Sequence, residues 1–312
     1  MASRLPALFL SHGGGPSFLF DHPAGSMMAE MGRSSRAASF LRNLREHPSL
    51  APCWPPAAML VISAHWEEAA FTVQEHHAPP LLYDYYGFPP EAYALNWAPP
   101  GAPALAARVR GLLERAGLPA AGDARRGYDH GLFVPLMVVA PEASIPTLQL
   151  SLHHSLDPHL HLRLGAALAP LRDEGVIIIG SGFATHNLGE FRGSAPGQPS
   201  RPWLTAFDGW LKETITRVTP AERARRLAAA EQEAPEGSFR KAHPREEHWL
   251  PLLVAAGAAA PEVVEGVETA DVDVAGRTNV SKEGGSKRKH SEEILFEQHI
   301  NGAASMACFL MS

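Results

Sequence analysis

Cysteine is scarce in this chain. There are two in 312 residues, Cys53 and Cys308, and neither belongs to a CxxC pair. That excludes a disulfide framework and fits a reducing compartment. Basic charge is short as well. A net charge of −6 and a pI near 6.2 leave no basic excess of the kind that nucleic-acid surfaces carry, so no nucleic-acid partner is expected. No run approaches the roughly 18 apolar residues of a membrane span. The apolar run at 5–10 is too short for the core of a signal peptide. The expectation is a cytoplasmic protein with no membrane contact. Gly13-Gly14-Gly15 lacks the Lys-Ser/Thr of a phosphate loop and the GxGxxG spacing. Gly180-Ser181-Gly182 lacks the flanking pattern of a serine-hydrolase elbow.

What is plentiful is histidine, 16 residues of it, against an ordinary background of 45% apolar and 19% charged residues. Ala7-Leu8-Phe9-Leu10-Ser11 runs into His12. Met59-Leu60-Val61-Ile62-Ser63-Ala64 runs into His65. Val176-Ile177-Ile178-Ile179-Gly180 runs into a glycine turn and then His186. Short aliphatic runs ending in small residues read as buried parallel strands. In open α/β sheets, ligands bind outside the carboxyl ends of the strands. His12 or His65 alone could be a strand-end hydrogen-bonding group. Together with His186 on one edge they suggest a metal centre, with His186 read as a ligand or a general acid/base.

The order of elements predicts an α/β fold. It is a single domain, 1–312, with a central, mostly parallel (mixed) sheet flanked by helices in Rossmann-like layers, and the metal site lies at the C-terminal edge of the strands. Helices are expected at 103–116 and 157–173, the second capped by Asp157-Pro158, with a strand at 146–152 between them. Thr219-Pro220-Ala221-Glu222 opens another helix. His243-Pro244 is read as opening one that ends at Gly257. On such a helix His243 and His248 would stand about 140° apart, too far round to share an ion. Residues 79–101, rich in Pro, Tyr and Trp, read as an ordered loop of the kind that covers binding sites. Residues 275–293 read as a mobile surface insertion. His22, His47, His76, His77, His290 and His299 read as surface or loop residues. The cluster His153, His154, His159 and His161 could be a second metal patch, or could lend one member to the pocket. Asp129 adjoins His130 in sequence, which implies no pairing.

Five blocks in order carry a resemblance: Leu-Ser-His12-Gly, Ile-Ser-Ala-His65-Trp-Glu, Tyr-Asp-His130-Gly-Leu-Phe-Val-Pro-Leu, Gly-Ser-Gly-(x)3-His186-Asn-Leu and Ala-His243-Pro-(x)3-His248-Trp-Leu-Pro-Leu-Leu. Over residues 5–265 the chain resembles the class III extradiol ring-cleavage dioxygenases of the LigB superfamily, in the 4,5-DOPA dioxygenase-like branch. The resemblance implies a catechol substrate, O₂ and a non-haem metal: Fe(II) for activity, with Zn(II) able to occupy the site in purified protein. It implies His12, His65 and His248 as ligands, Glu247 being the rival for the third place. It implies His186 as acid/base and His130 as a catalytic pocket residue. His243, Tyr83 and Tyr86 are expected at the substrate, and the assembly is expected to be a monomer or homodimer. Two other readings stay open: a zinc hydrolase using the same histidines, and a non-enzymatic binding protein like the Memo-type members of this fold.

Overall fold

The computed structural model describes residues 4–267 and 292–312. Eight strands form one sheet: β1 (Ala7–Ser11), β2 (Ala58–Glu68), β3 (Phe71–Gln74), β4 (Ala120–Asp123), β5 (Thr147–His153), β6 (Val176–Gly182), β7 (Glu293–Ile300) and β8 (Ala304–Met311). Their spatial order is β4-β3-β5-β2-β6-β1-β8-β7. The central four, β5-β2-β6-β1, are mutually parallel. The flanks are not: β3 runs antiparallel to β5, β8 to β1 and β7 to β8. The mixed α/β sheet expected from the sequence is therefore present.

The helices are α1 (Arg36–Asn43), α2 (Pro103–Arg115), α3 (His130–Val139), α4 (Pro158–Leu168), α5 (Leu188–Phe191), α6 (Pro202–Thr216), α7 (Pro220–Ala228), α8 (Ala230–Glu233), α9 (Ser238–Ala242), α10 (Leu250–Ala259) and α11 (Pro261–Val267). Alternation along the central strands divides their side chains between two cores. Phe9, Leu60, Ile62 and Ile178 pack into the layer containing α4 and α10. Leu8, Leu10, Val61, Ile177 and Ile179 pack into the layer containing α1 and α3. A strand buried on both faces reads as a continuous apolar run, which is why these strands were legible.

Three expectations need correction. No helix starts at His243: that residue caps the end of α9, and α10 begins at Leu250. Gly257 does not end α10 but lies inside it. A Cβ there would stand 2.2 Å from the Leu162 carbonyl oxygen of α4, so the glycine permits a close helix crossing. The Gly180-Ser181-Gly182 segment is not a turn. It completes β6, and a Cβ on Gly180 would meet the Pro251 carbonyl oxygen at 2.1 Å. Of the expected insertion, residues 275–291 lie outside the described residues, whereas Glu293 already begins β7. His299, read as surface, sits on β7 with its Nε2 2.5 Å from Asp208 of α6.

Candidate metal centre

His12 follows β1 directly, His65 lies on the last part of β2, and His186 lies four residues beyond β6. Parallel pairing of these strands brings all three to one edge. His248 arrives from the turn before α10, and His130 is the first residue of α3. All five line one cavity of about 410 Å³.

The ring nitrogens converge. The Nε2 atoms of His12 and His65 are 3.0 Å apart, and those of His65 and His248 are 3.3 Å apart. Two ligands bound at about 2.1 Å stand about 3.0 Å apart at 90° and about 3.4 Å apart at the tetrahedral angle. Each of these two pairs is spaced as neighbouring ligands of one ion, and the ligand atoms of His12, His65 and His130, like those of His186, Glu247 and His248, all lie within 4.8 Å of one another.

For His12 and His248 the other ring nitrogen explains why Nε2 is free. His12 Nδ1 lies 3.1 Å from Ser181 Oγ. That hydroxyl donates to the Gly131 carbonyl, so it can only accept from His12. The Gly131 carbonyl needs this donor because its helical partner would be the N–H of residue 135, which is proline. A proline in α3 thus fixes, through Ser181, which nitrogen of His12 carries the proton. His248 Nδ1 donates to Glu247 Oε1 at 3.0 Å. His65 Nδ1 faces Asp84 Oδ2 at 3.8 Å. The acceptors at Nδ1 of His12 and His248 leave their Nε2 lone pairs free, which is the pattern of metal-bound histidines.

Electrostatics agree. Burial, then the neighbouring His248, His130 and His186, lower the His12 pKa. Burial, then His130, His12, His248 and His186, lower that of His65. Burial, followed by His186, brings His248 down to about 3. All three are neutral at pH 7, as ligation requires. Burial pushes the Glu247 carboxyl up, but the His186 and His248 rings beside it outweigh that and hold it well below the usual range. Glu247 is thus an ionised acceptor placed between two imidazoles, 3.6 Å from His186 Nδ1. His186 stacks on His248 with ring centroids 3.5 Å apart.

Asp129 and His130 are indeed not a pair. Asp129 caps α3 through Leu132 N–H, accepts from Ser63 Oγ at 2.7 Å and from Arg126 at 3.1 Å, and is fully buried. His130 Nδ1 instead meets Asp84 Oδ1 at 2.8 Å. Burial raises the Asp84 carboxyl, and the contact with His130 more than reverses that. Sequence reasoning missed Asp84 and Tyr85, both cavity-lining. The available signal was an acid among the tyrosines of the 79–101 loop.

Other expected site residues fall elsewhere. Tyr86 lines the cavity but is 89% exposed. Tyr83 does not line it; its hydroxyl donates to the Leu95 carbonyl at 2.7 Å. His243 is fully buried outside the cavity wall, with Nε2 2.9 Å from the Ala184 carbonyl oxygen and its ring against Phe207, Phe239 and Trp249. None of His153, His154, His159 and His161 lines the cavity.

The family described as the catalytic LigB subunit of aromatic ring-opening dioxygenase matches residues 6–280. The chain belongs to the LigB family. It is 41% identical over 245 residues to the 4,5-DOPA dioxygenase extradiol of Beta vulgaris, covering 78% of this chain and 86% of that one. It is 33% identical over 258 residues to the Escherichia coli protein of the same name, covering 82% and 86%. A crystal structure of an uncharacterized protein from Escherichia coli K12 superposes with a TM-score of 0.68 at 27% identity, covering 99% of this chain and 100% of that one. This LigB protein is an extradiol ring-cleaving dioxygenase, metal-dependent and non-haem, acting on an aromatic substrate with O₂. No helix among the described residues is long and apolar enough to cross a membrane.

Proposed function

We propose that this LigB protein cleaves a side-chain-bearing catechol between C4 and C5, outside the diol, using Fe(II) held by His12, His65 and His248. The observation that supports the ligand set is the approach of His65 Nε2 to the Nε2 atoms of both His12 and His248, all three rings neutral, with acceptors at Nδ1 of His12 and His248. Three neutral imidazoles leave coordination positions open, as a chelating diol and O₂ require. The bound metal would lower the pKa of the diol and bring the two substrates together.

The chain's own groups do the rest. His130, tied to Asp84 through Nδ1, presents its other nitrogen to a catechol hydroxyl. His186, held over His248 and beside Glu247, receives a diol proton and returns it as the O–O bond breaks. One ring carbon–carbon bond is broken and both atoms of O₂ enter the product, so no external reductant is consumed. Position of cleavage is carried over from relatives named for 4,5-cleavage of DOPA. We read the chain as one catalytic domain, cytoplasmic, working as monomer or homodimer.

The test is O₂ uptake by protein loaded anaerobically with Fe(II), then with Zn(II), across 4-substituted catechols including DOPA. One O₂ consumed per ring and a yellow ring-opened product, with Fe(II) only, is expected. Uptake with neither metal would sink the proposal.

A further inference from the structure

A second group of metal-type donors stands at the β7 edge of the sheet. Glu297 and His299 are two residues apart on β7, so they share one face. On the next strand, Ser305 is the register partner of His299. Asp208 of α6 reaches the same face. One ligand atom from each of Asp208, Glu297 and His299 lies within 4.8 Å of the others. Opposite ligands held at about 2.1 Å stand about 4.2 Å apart, so a small closure suffices. Asp208, Glu297 and Ser305 line a space of about 10 Å³, room for one ion or water and for no organic molecule.

Two further observations point to a guest in that space. Ser305 Oγ is fully buried and has no hydrogen-bond partner among the described residues. Such a hydroxyl is costly unless something in the space it lines satisfies it. Behind the imidazole, Ser200 Oγ lies 2.5 Å from His299 Nδ1. With Nδ1 donating to that oxygen, Nε2 is left for an ion, and Asp208 Oδ2 stands 2.5 Å from it. A group that orients the far nitrogen is the usual companion of a ligating histidine. Lys212 is the competitor, its Nζ 3.1 Å from Glu297 Oε2 with 54% of its side chain exposed. An exposed pair of this kind is weak, and it engages one carboxylate oxygen of two.

We propose that Asp208, Glu297 and His299 form a second metal site, one that takes Zn(II). One imidazole and two carboxylates suit that ion, and a water in the fourth position would satisfy Ser305 Oγ. The three residues do not line the catalytic cavity. Their ion pins α6 to the β7–β8 hairpin and takes no part in chemistry. The hairpin passes the constraint on. Ser305 N–H donates to Thr185 Oγ1 at 2.6 Å, next to His186, and Ala304 lines the catalytic cavity. The second ion thus steadies the segment that presents His186.

The experiment counts ions, whatever the protein does to catechols. Full-length protein is stripped of metal, loaded with Zn(II) and dialysed, and its zinc is measured per chain. Wild type should keep two ions. His248→Ala should keep one, and adding Zn(II) to it should raise its Tm. Asp208→Asn should also keep one, held by the other site, and His248→Ala/Asp208→Asn should keep none and show no rise in Tm. Because Asp208 is buried, the half-buried Glu297→Gln is made in parallel, with the same loss of one ion expected and folding checked by circular dichroism. Lys212→Met should tighten the second ion by removing its competitor. A single ion in wild type, or two ions retained by folded Asp208→Asn or Glu297→Gln, would overturn the proposal. So would a Tm of His248→Ala that Zn(II) does not move.

Discussion

Ser181→Ala perturbs the site without touching a proposed ligand. Two things are lost at once. His12 Nδ1 loses the oxygen 3.1 Å away that fixes its tautomer, and the Gly131 carbonyl loses its donor. The first loss acts on metal. Removing the group that orients a ligating histidine costs about 10–100-fold in affinity, or about 1.4–2.7 kcal/mol. The second acts on the fold: an unsatisfied buried carbonyl costs about 1–3 kcal/mol. A second substitution separates them. Pro135→Ala restores the N–H that α3 lacks, so the Gly131 carbonyl regains a helical partner. The double variant Ser181→Ala/Pro135→Ala should recover most of the stability lost by Ser181→Ala, read by urea unfolding of the metal-free proteins. It should recover none of the metal affinity, read by competition with a chelator. Equal metal affinity in wild type and Ser181→Ala would refute the link from Ser181 to His12. Recovery of both quantities in the double variant would show that the effect runs through the helix and not through the imidazole.

His248→Ala should abolish tight metal binding at the catalytic centre. Glu247→Ala should weaken it about 10–100-fold, and His130→Ala should leave it nearly intact; metal content after dialysis ranks the three, and the reverse order for His248 and Glu247 would move the third ligand by one residue. His186→Ala should keep its metal but lower kcat by about 10²–10⁴-fold, measured as initial O₂ consumption; normal turnover would remove it from the reaction. Burial brings the His243 pKa down to about 3, against a contribution from the Ala184 carbonyl that raises it. The imidazole is neutral in the fold and takes a proton on unfolding below pH of about 6.5, so its contribution is present above that pH and lost as pH falls. At pH 5 the loss is about 2 kcal/mol, and the metal-free His243→Asn variant should show that much less change in stability between pH 7 and pH 5. Gly257→Ala should destabilise by about 1–3 kcal/mol despite the better helix former, because its Cβ would meet the Leu162 carbonyl oxygen; thermal unfolding at or above wild type would contradict the close crossing.

The parts of this site that could be read from sequence are those whose chemistry is written along one strand. β1 and β2 are buried on both faces, so each appears as an unbroken apolar run, and the polar residue that ends the run stands out. That is how His12 and His65 were found, and why the edge they share could be anticipated. His248 is different. It sits in a turn whose local pattern resembles the start of a helix, and the assumption of a helix from His243 made its distance from His243 look meaningful. The turn exists because α9 ends at His243, where the ring is committed to the Ala184 carbonyl. Only the resemblance over the whole chain pointed to His248.

The orienting groups were illegible for a more general reason. Ser181 reaches His12 across 169 positions, and Asp84 reaches His130 across 46. Neither contact leaves a period or a spacing, since each is set by which strands neighbour in the sheet. The pairing of β1 with β6 puts Ser181 opposite Leu10, two residues before His12, so the register that builds the sheet also chooses the tautomer of a ligand. Pro135 shows the same dependence. In the sequence it is a helix breaker inside an apolar run, a local fault by the rules of propensity. In the fold, the hydrogen bond it removes leaves the Gly131 carbonyl free to hold Ser181 Oγ, which receives the proton of His12.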